Sequence, residues 1–188
     1  MDCIELLTTR ASNGKLSEPE PDAATLALAF EAVTRAPDHA GLHPVRIRLV
    51  RGAARDGFGQ LMANVAIKAN PQLSTAQIEQ VKSKALRAPL IMVVGAAVTA
   101  HPKVPAIEQV LSAGCAAHAI LLTLHARGYA GIWRTGDAAY DPDLKRALGF
   151  QPDDQIVGFI YAGTAKQPAP ELLRSRPEQF ISEWPARS

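Results

Sequence analysis

Two cysteines, Cys3 and Cys115, are all the chain has. No Cys-x-x-Cys or Cys/His ligand spacing surrounds them, which excludes a disulfide framework and a zinc module and predicts free thiols in a reducing compartment. Neither sign of charge is in excess: 20 Lys plus Arg against 18 Asp plus Glu leave a net of +2, too weak a field to recruit nucleic acid or an anionic membrane surface. Long apolar runs are missing. The longest, Leu90 to Ala100, falls well short of the roughly 20 residues a membrane-spanning helix needs. The opening Met1-Asp2-Cys3-Ile4-Glu5 carries acids where a secretory leader carries basic residues. The expectation is a cytoplasmic protein with no membrane or nucleic-acid partner.

Several chemical signatures are absent as well. There is no Gly-x-Ser-x-Gly and neither cysteine lies in a nucleophile motif. Gly-x-Gly-x-x-Gly after a strand is missing, which argues against a Rossmann dinucleotide fold. His39 and His43 are spaced to share a metal only on a helix, which Pro37 and Pro44 disfavour, so no metal site is expected.

What is present is 188 residues with 47% hydrophobic content, enough for one domain, residues 1–188, around one substantial core. Residues 2–10 read as a short amphipathic helix with Ile4, Leu6 and Leu7 inward. After the Pro19/Pro21 spacer, Asp22 caps a second helix carrying Leu26, Phe30 and Val33 at i, i+4 and i+7, stopped near Arg35 by Pro37. Val45 to Val50 alternates with period two, a strand with Arg46 and Arg48 on a wet or site-facing side. Helical stretches follow at 54–69 and 74–87. The continuous apolar run 90–98 reads as a central strand covered on both faces. A long helix spans 105–127, closed by Gly128, with Val110, Leu111, Gly114, Cys115, His118, Leu121, Leu122 and His125 on its apolar side. Residues 131–136 form a short strand, Asp141-Pro142 starts a brief helix to Leu148, and 155–163 is the last strand. The proline-rich segment 166–188 has too few apolar residues to build a core, so it hangs free or wraps a neighbour. Four strands among five or six helices give an α+β fold.

Two segments gather chemistry. Arg10-Ala11-Ser12-Asn13-Gly14-Lys15 ends the first helix, and Arg35-Ala36-Pro37-Asp38-His39 ends the second. An arginine fork and a nearby hydroxyl match phosphate oxygens, although Arg10 also suits a plain partner of a helix C-terminus. Trp133-Arg134-Thr135 between two glycines reads either as a packed strand end or as a loop joining the same cradle.

These segments, taken with Asp2-x-Ile4-Glu5-Leu6-Leu7, Arg87-Ala88-Pro89-Leu90-Ile91, His101-x-Lys103-Val104-Pro105, Ser112-Ala113-Gly114-Cys115, Gly131-Ile132-Trp133-Arg134 and Ile156-Val157-Gly158-Phe159 in that order, resemble the nitroreductase family of flavin enzymes, in its minimal-length branch of NAD(P)H nitroreductases. The resemblance implies a central, mostly antiparallel sheet flanked by helices, and an intertwined homodimer with FMN at the subunit interface. It implies FMN contacts from Arg10, Ala11, Ser12, Arg35, His39, Trp133, Arg134 and Thr135, with His39 coming from the partner chain. Lys15 stands where the family sets a basic residue near the flavin N1/O2 edge, a stabiliser of the reduced ring. NADH or NADPH is the implied reductant, a nitroaromatic, quinone or similar compound the acceptor, and flavin N5 rather than a side chain the carrier of the chemistry. The chain departs from the family in Arg10-Ala11-Ser12, where relatives often have Arg-Arg-Ser, and in His43-Pro44-Val45, where many have Gln-Pro-Trp. Two alternatives stay open: an FMN carrier or sensor without efficient turnover, and a flavoenzyme acting on a specific metabolite.

Overall fold

A computed structural model describes residues 2–169 and 175–184. Its organising element is β3 (Leu90–Ala96), whose seven residues are all buried. That burial follows from the run of Leu, Ile, Met and Val, which has no polar side to turn to water. β3 pairs with β2 (Val45–Arg51) on one edge and β5 (Gln155–Ala165) on the other. β4 (Ala130–Arg134) and the two-residue β1 (Leu16–Ser17) pair with β5. Every one of these pairings is antiparallel. The central position expected for this run holds, while β1 adds a short strand beyond the four expected. β3 also stops two residues sooner than expected, at Ala96.

Period-two alternation sends the two faces of β3 into different cores. Ile91 and Val93 pack with Phe58, Phe159, Tyr161, Leu144 and Phe150, beneath α3 (Ala54–Ala69) and α6 (Pro142–Ala147). Leu90, Met92 and Val94 pack with Leu26, Ile120, Leu124 and Ile160, beneath α2 (Ala23–Val33) and α5 (Ala106–Ala126). The result is a sheet between two helical layers, each fully buried large side chain contributing about 1.5–3 kcal/mol. α4 (Thr75–Lys82) opens on a Ser74/Gln77 capping box, packs against α3 and leads through a 3-10 turn, Ser83–Leu86, into β3.

Three expectations are corrected. α1 (Cys3–Thr9) forms, capped by Asp2, but buries nothing: Ile4 is 68% and Leu7 53% exposed. α5 turns inward a face that shares only Leu121 with the expected one. Gln109, Ser112, Ala113, Ala116, Ala117, Ile120, Leu121 and Leu124 are buried, whereas Leu111 is 60% exposed and Cys115 and His118 are also at the surface. Alanines let α5 approach the sheet closely, so the face that carries them, together with Ile120, Leu121 and Leu124, takes the core. α5 is apolar and long enough to cross a membrane by length and composition, yet that buried face makes it the core helix of this fold. Finally, Arg48 is packed rather than turned to a wet or site-facing side. Its Nε and Nη2 donate to the Leu148 and Gly149 carbonyls at 3.0 and 3.2 Å, and its Cζ lies 5.1 Å from the Phe150 ring centroid, tying β2 to the end of α6. Arg46 donates to the nearby His43 and Val45 carbonyls.

Candidate functional site

β4 supplies the floor of the main cleft. Alternation along it directs Ile132 and Arg134 to the α3 side and Trp133 to the α5 side. The Trp133 indole accordingly packs on the α5-side core and donates from Nε1 to the Val157 carbonyl at 3.3 Å. It crosses β5 over Gly158, where a Cβ would stand 2.1 Å from Nε1.

Arg134 lies with its Cζ 5.7 Å from the Tyr161 ring centroid. Its Nη2 passes so close to Gly14 that a Cβ there would come within 2.7 Å. Among the described residues its buried Nε has no hydrogen-bond partner, although a buried guanidinium donor ordinarily finds one. The unpaired donor sits in the wall between two lobes of about 480 and 760 Å3, both lined by Arg87, Ile132 and Arg134. Lys84 and Thr135 line the first lobe; Ser12, Lys15 and Lys166 line the second. Against these cations stands one carboxylate in the lining, Asp137, while Met62, Val65 and Phe159 give the first lobe an apolar floor. Burial pushes the Tyr161 hydroxyl's pKa up, with Arg134 and Arg87 opposing the shift.

Asn13 holds the walls together. It is buried, its Nδ2 donates to the Gln167 carbonyl at 2.8 Å, and its Oδ1 accepts from the Lys15 N–H at 2.9 Å. Its own backbone N–H donates to the Gly131 carbonyl at 3.1 Å, and the Lys166 N–H to the Lys15 carbonyl at 2.9 Å. The 12–15 loop, β4 and the start of the tail thus form one rigid frame. The rest of the tail expected to wrap a neighbour falls partly outside the described residues, at 170–174 and 185–188.

Of the residues singled out from sequence, Ser12, Lys15, Arg134 and Thr135 meet in this cleft. Trp133 reaches its lining too, though its indole is spent on the other face. Arg10 and Ala11 line an adjoining hollow of about 260 Å3 with Asn13, His125 and Gly131. Arg35 and His39 line none of these cavities. Arg35 borders a separate hollow with Asp38, His43 and Ser112, and His39 bonds Glu108 through Nδ1 at 2.7 Å. Lys84, Arg87, Asn13 and Lys166 were not foreseen as site residues. Arg87 stood in a quoted motif, but only the 3-10 turn before β3 brings it and Lys84 to the cleft. Among the described residues no group of three or more His, Cys, Asp or Glu side chains is arranged to hold a metal ion.

Comparison with known proteins agrees with this frame. Residues 7–164 match the Nitroreductase family. The Escherichia coli (strain K12) protein named "Putative NAD(P)H nitroreductase YdjA" is 38% identical over 164 residues, covering 87% of this chain and 88% of that protein. The fold is similar to that of a nitroreductase-like family protein from Bacillus cereus, with a TM-score of 0.82 at 16% identity over 97% of this chain and 96% of the other. It is also similar to a nitroreductase with bound FMN from Bacteroides fragilis NCTC 9343, with a TM-score of 0.72 at 16% identity over 97% and 98% of the two chains. With its antiparallel sheet between two helical layers, its 7–164 match and a relative at this identity, the chain belongs to the nitroreductase family.

Proposed function

We propose that this chain, read as a single domain over residues 1–188, is an FMN-dependent NAD(P)H oxidoreductase. The observation that carries the reading is the buried, unpartnered Arg134 Nε in a cation-lined cleft with an apolar floor. A donor left unpaired in a protein of this family fits a ligand that brings an acceptor to it, and a phosphorylated planar cofactor has the matching charge and shape. Arg134, Ser12, Lys15 and Lys166 would hold the cofactor within one chain, with Arg10, Ala11, Trp133 and Thr135 beside them. FMN held there would supply hydride transfer at N5 between NADH or NADPH and a nitroaromatic, quinone or similar acceptor. Lys15, Lys84 and Arg87 set a positive potential along the cleft, which lowers the cost of negative charge developing there. One cleft used in turn by reductant and acceptor gives ping-pong kinetics.

The working unit we infer is a homodimer. Ile107 and Leu111, one turn apart on α5, are both more than half exposed, an apolar surface of the kind that marks an interface. His39 is bonded to Glu108, one turn from Leu111, and so stands at the rim of that surface. A second copy docked there meets His39, which supports the reading that His39 serves the partner's cofactor.

Titration of the purified chain with FMN, followed by anaerobic mixing with NADH or NADPH, tests the proposal. Quenched flavin fluorescence and then loss of the oxidised-flavin absorbance band are expected. A chain that binds no FMN, or whose bound flavin stays oxidised with both nucleotides, would overturn it.

A further inference from the structure

His39 and Glu108 lie 69 residues apart in sequence, yet His39 Nδ1 and Glu108 Oε2 stand 2.7 Å apart. The His39 side chain is 54% exposed and that of Glu108 42%. A pair this wet adds little to the stability of the fold, so its geometry needs another account. Glu108 lies in the first turn of α5. An ionised carboxylate only accepts hydrogen bonds, so the proton between these atoms belongs to His39 Nδ1. In the neutral ring, Nε2 then has no proton, whichever tautomer free histidine prefers in water.

The backbone beneath the ring is held just as firmly. Ala40, Gly41 and His43 have φ of 63°, 63° and 48°, the left-handed region that costs residues with a Cβ. Asp38 keeps the chain there, Oδ1 accepting from the Leu42 N–H at 3.1 Å and Oδ2 from the His43 N–H at 2.7 Å. One carboxylate therefore fixes the loop and a second fixes the ring. What is left pointing away from both anchors is Nε2.

We propose that Glu108 is a positioning residue: it locks His39 with Nδ1 protonated, so that Nε2 is the nitrogen offered across the subunit interface to the cofactor held by the partner chain. This rests on the cofactor reading above. It assigns a role to a carboxylate outside the cofactor cleft, and makes Glu108 act only through His39.

The test uses the full-length dimer. Long-range nitrogen–proton NMR of the imidazole rings reads the tautomer without cofactor, and among the five histidines the His39→Ala variant identifies the signal. Wild-type protein should show His39 protonated at Nδ1, and Glu108→Ala should move it toward the tautomer mixture of free histidine. FMN affinity should fall about ten-fold in Glu108→Ala, the worth of one hydrogen bond. In a His39→Ala background the same substitution should change nothing further. His39 protonated at Nε2 in the wild type, or a loss of affinity equally large in both backgrounds, would overturn the proposal while leaving the cofactor reading intact. A wild-type chain that binds no FMN would remove that reading and this proposal together.

Discussion

Arg134→Ala removes a guanidinium whose Nε is buried without a partner and whose Cζ lies 5.7 Å from the Tyr161 ring centroid. Two quantities should respond differently. In the cofactor-free protein the substitution loses a cation–π contact of about 0.5–1 kcal/mol, and this is offset by removing a donor that is buried and unsatisfied. At about 2–4 °C per kcal/mol for a chain of this size, the melting temperature should move by only a few degrees. In the FMN complex the substitution removes hydrogen bonding to a charged group, about 1.5–3 kcal/mol, so FMN should bind about ten- to a hundred-fold more weakly. Gly14→Ala supplies a control that leaves every charge in place. Its Cβ would stand 2.7 Å from Arg134 Nη2, the far end of a flexible side chain, so the guanidinium should be pushed off the cleft wall and FMN affinity should fall in the same direction with little change in stability. Flavin fluorescence titration and thermal melts with and without FMN read both variants. FMN affinity unchanged in Arg134→Ala would refute the reasoning, and so would a large collapse of the cofactor-free melting temperature, which would make Arg134 a structural residue.

Gly158→Ala places a Cβ 2.1 Å from Trp133 Nε1 and 3.0 Å from the Arg134 carbonyl; it should cost about 1–3 kcal/mol by overpacking, read as a lower denaturant midpoint with a shifted tryptophan emission. Leu111→Glu puts a charge on the exposed apolar face of α5, and sedimentation should show monomers with weakened FMN binding; a stable dimer that binds FMN normally would place the interface elsewhere. Lys68 bonds Asp143 at 2.9 Å and Asp141 at 3.4 Å. These hydrogen bonds raise the Lys68 pKa, and the lysine holds the Asp143 carboxyl below its usual 3.8. A depressed carboxylate stabilises above its unfolded pKa and loses that contribution as pH falls through the folded one, so the stability gap between wild type and Lys68→Met should close well below pH 3.8. A gap that persisted in acid would mean that packing of the lysine stem, not its charge, is what counts.

The parts of the fold legible in the sequence are those where one physical signal had no rival. The run at β3 has no polar side, so its central, doubly covered place follows directly. Asp22 and Asp141 cap helices as their positions suggest, and Pro37 ends α2 close to where expected. Legibility failed where two apolar faces competed on one helix. On α5 the larger side chains, Leu111 among them, drew the expected core face, but the smaller Ala113, Ala116 and Ala117 took it because they allow the helix nearer the sheet. α1 misled for the same reason: an amphipathic pattern announces a surface to be covered and does not say by which chain. The site divides along this line too. Ser12, Lys15 and Arg134 meet within one chain because the 12–15 loop and β4 are tied together by Asn13, a local arrangement that a motif can encode. Arg87 and Lys84 join them only through the 3-10 turn that follows α4, which no local pattern specifies. Arg35 and His39 belong to the same motif set yet stand apart from that cleft, at the edge of the apolar face that the chain leaves open. His39 is tied to α5 through Glu108, one turn from the exposed Leu111, so this residue missing from the single-chain cleft stands beside an apolar side chain that the core left uncovered.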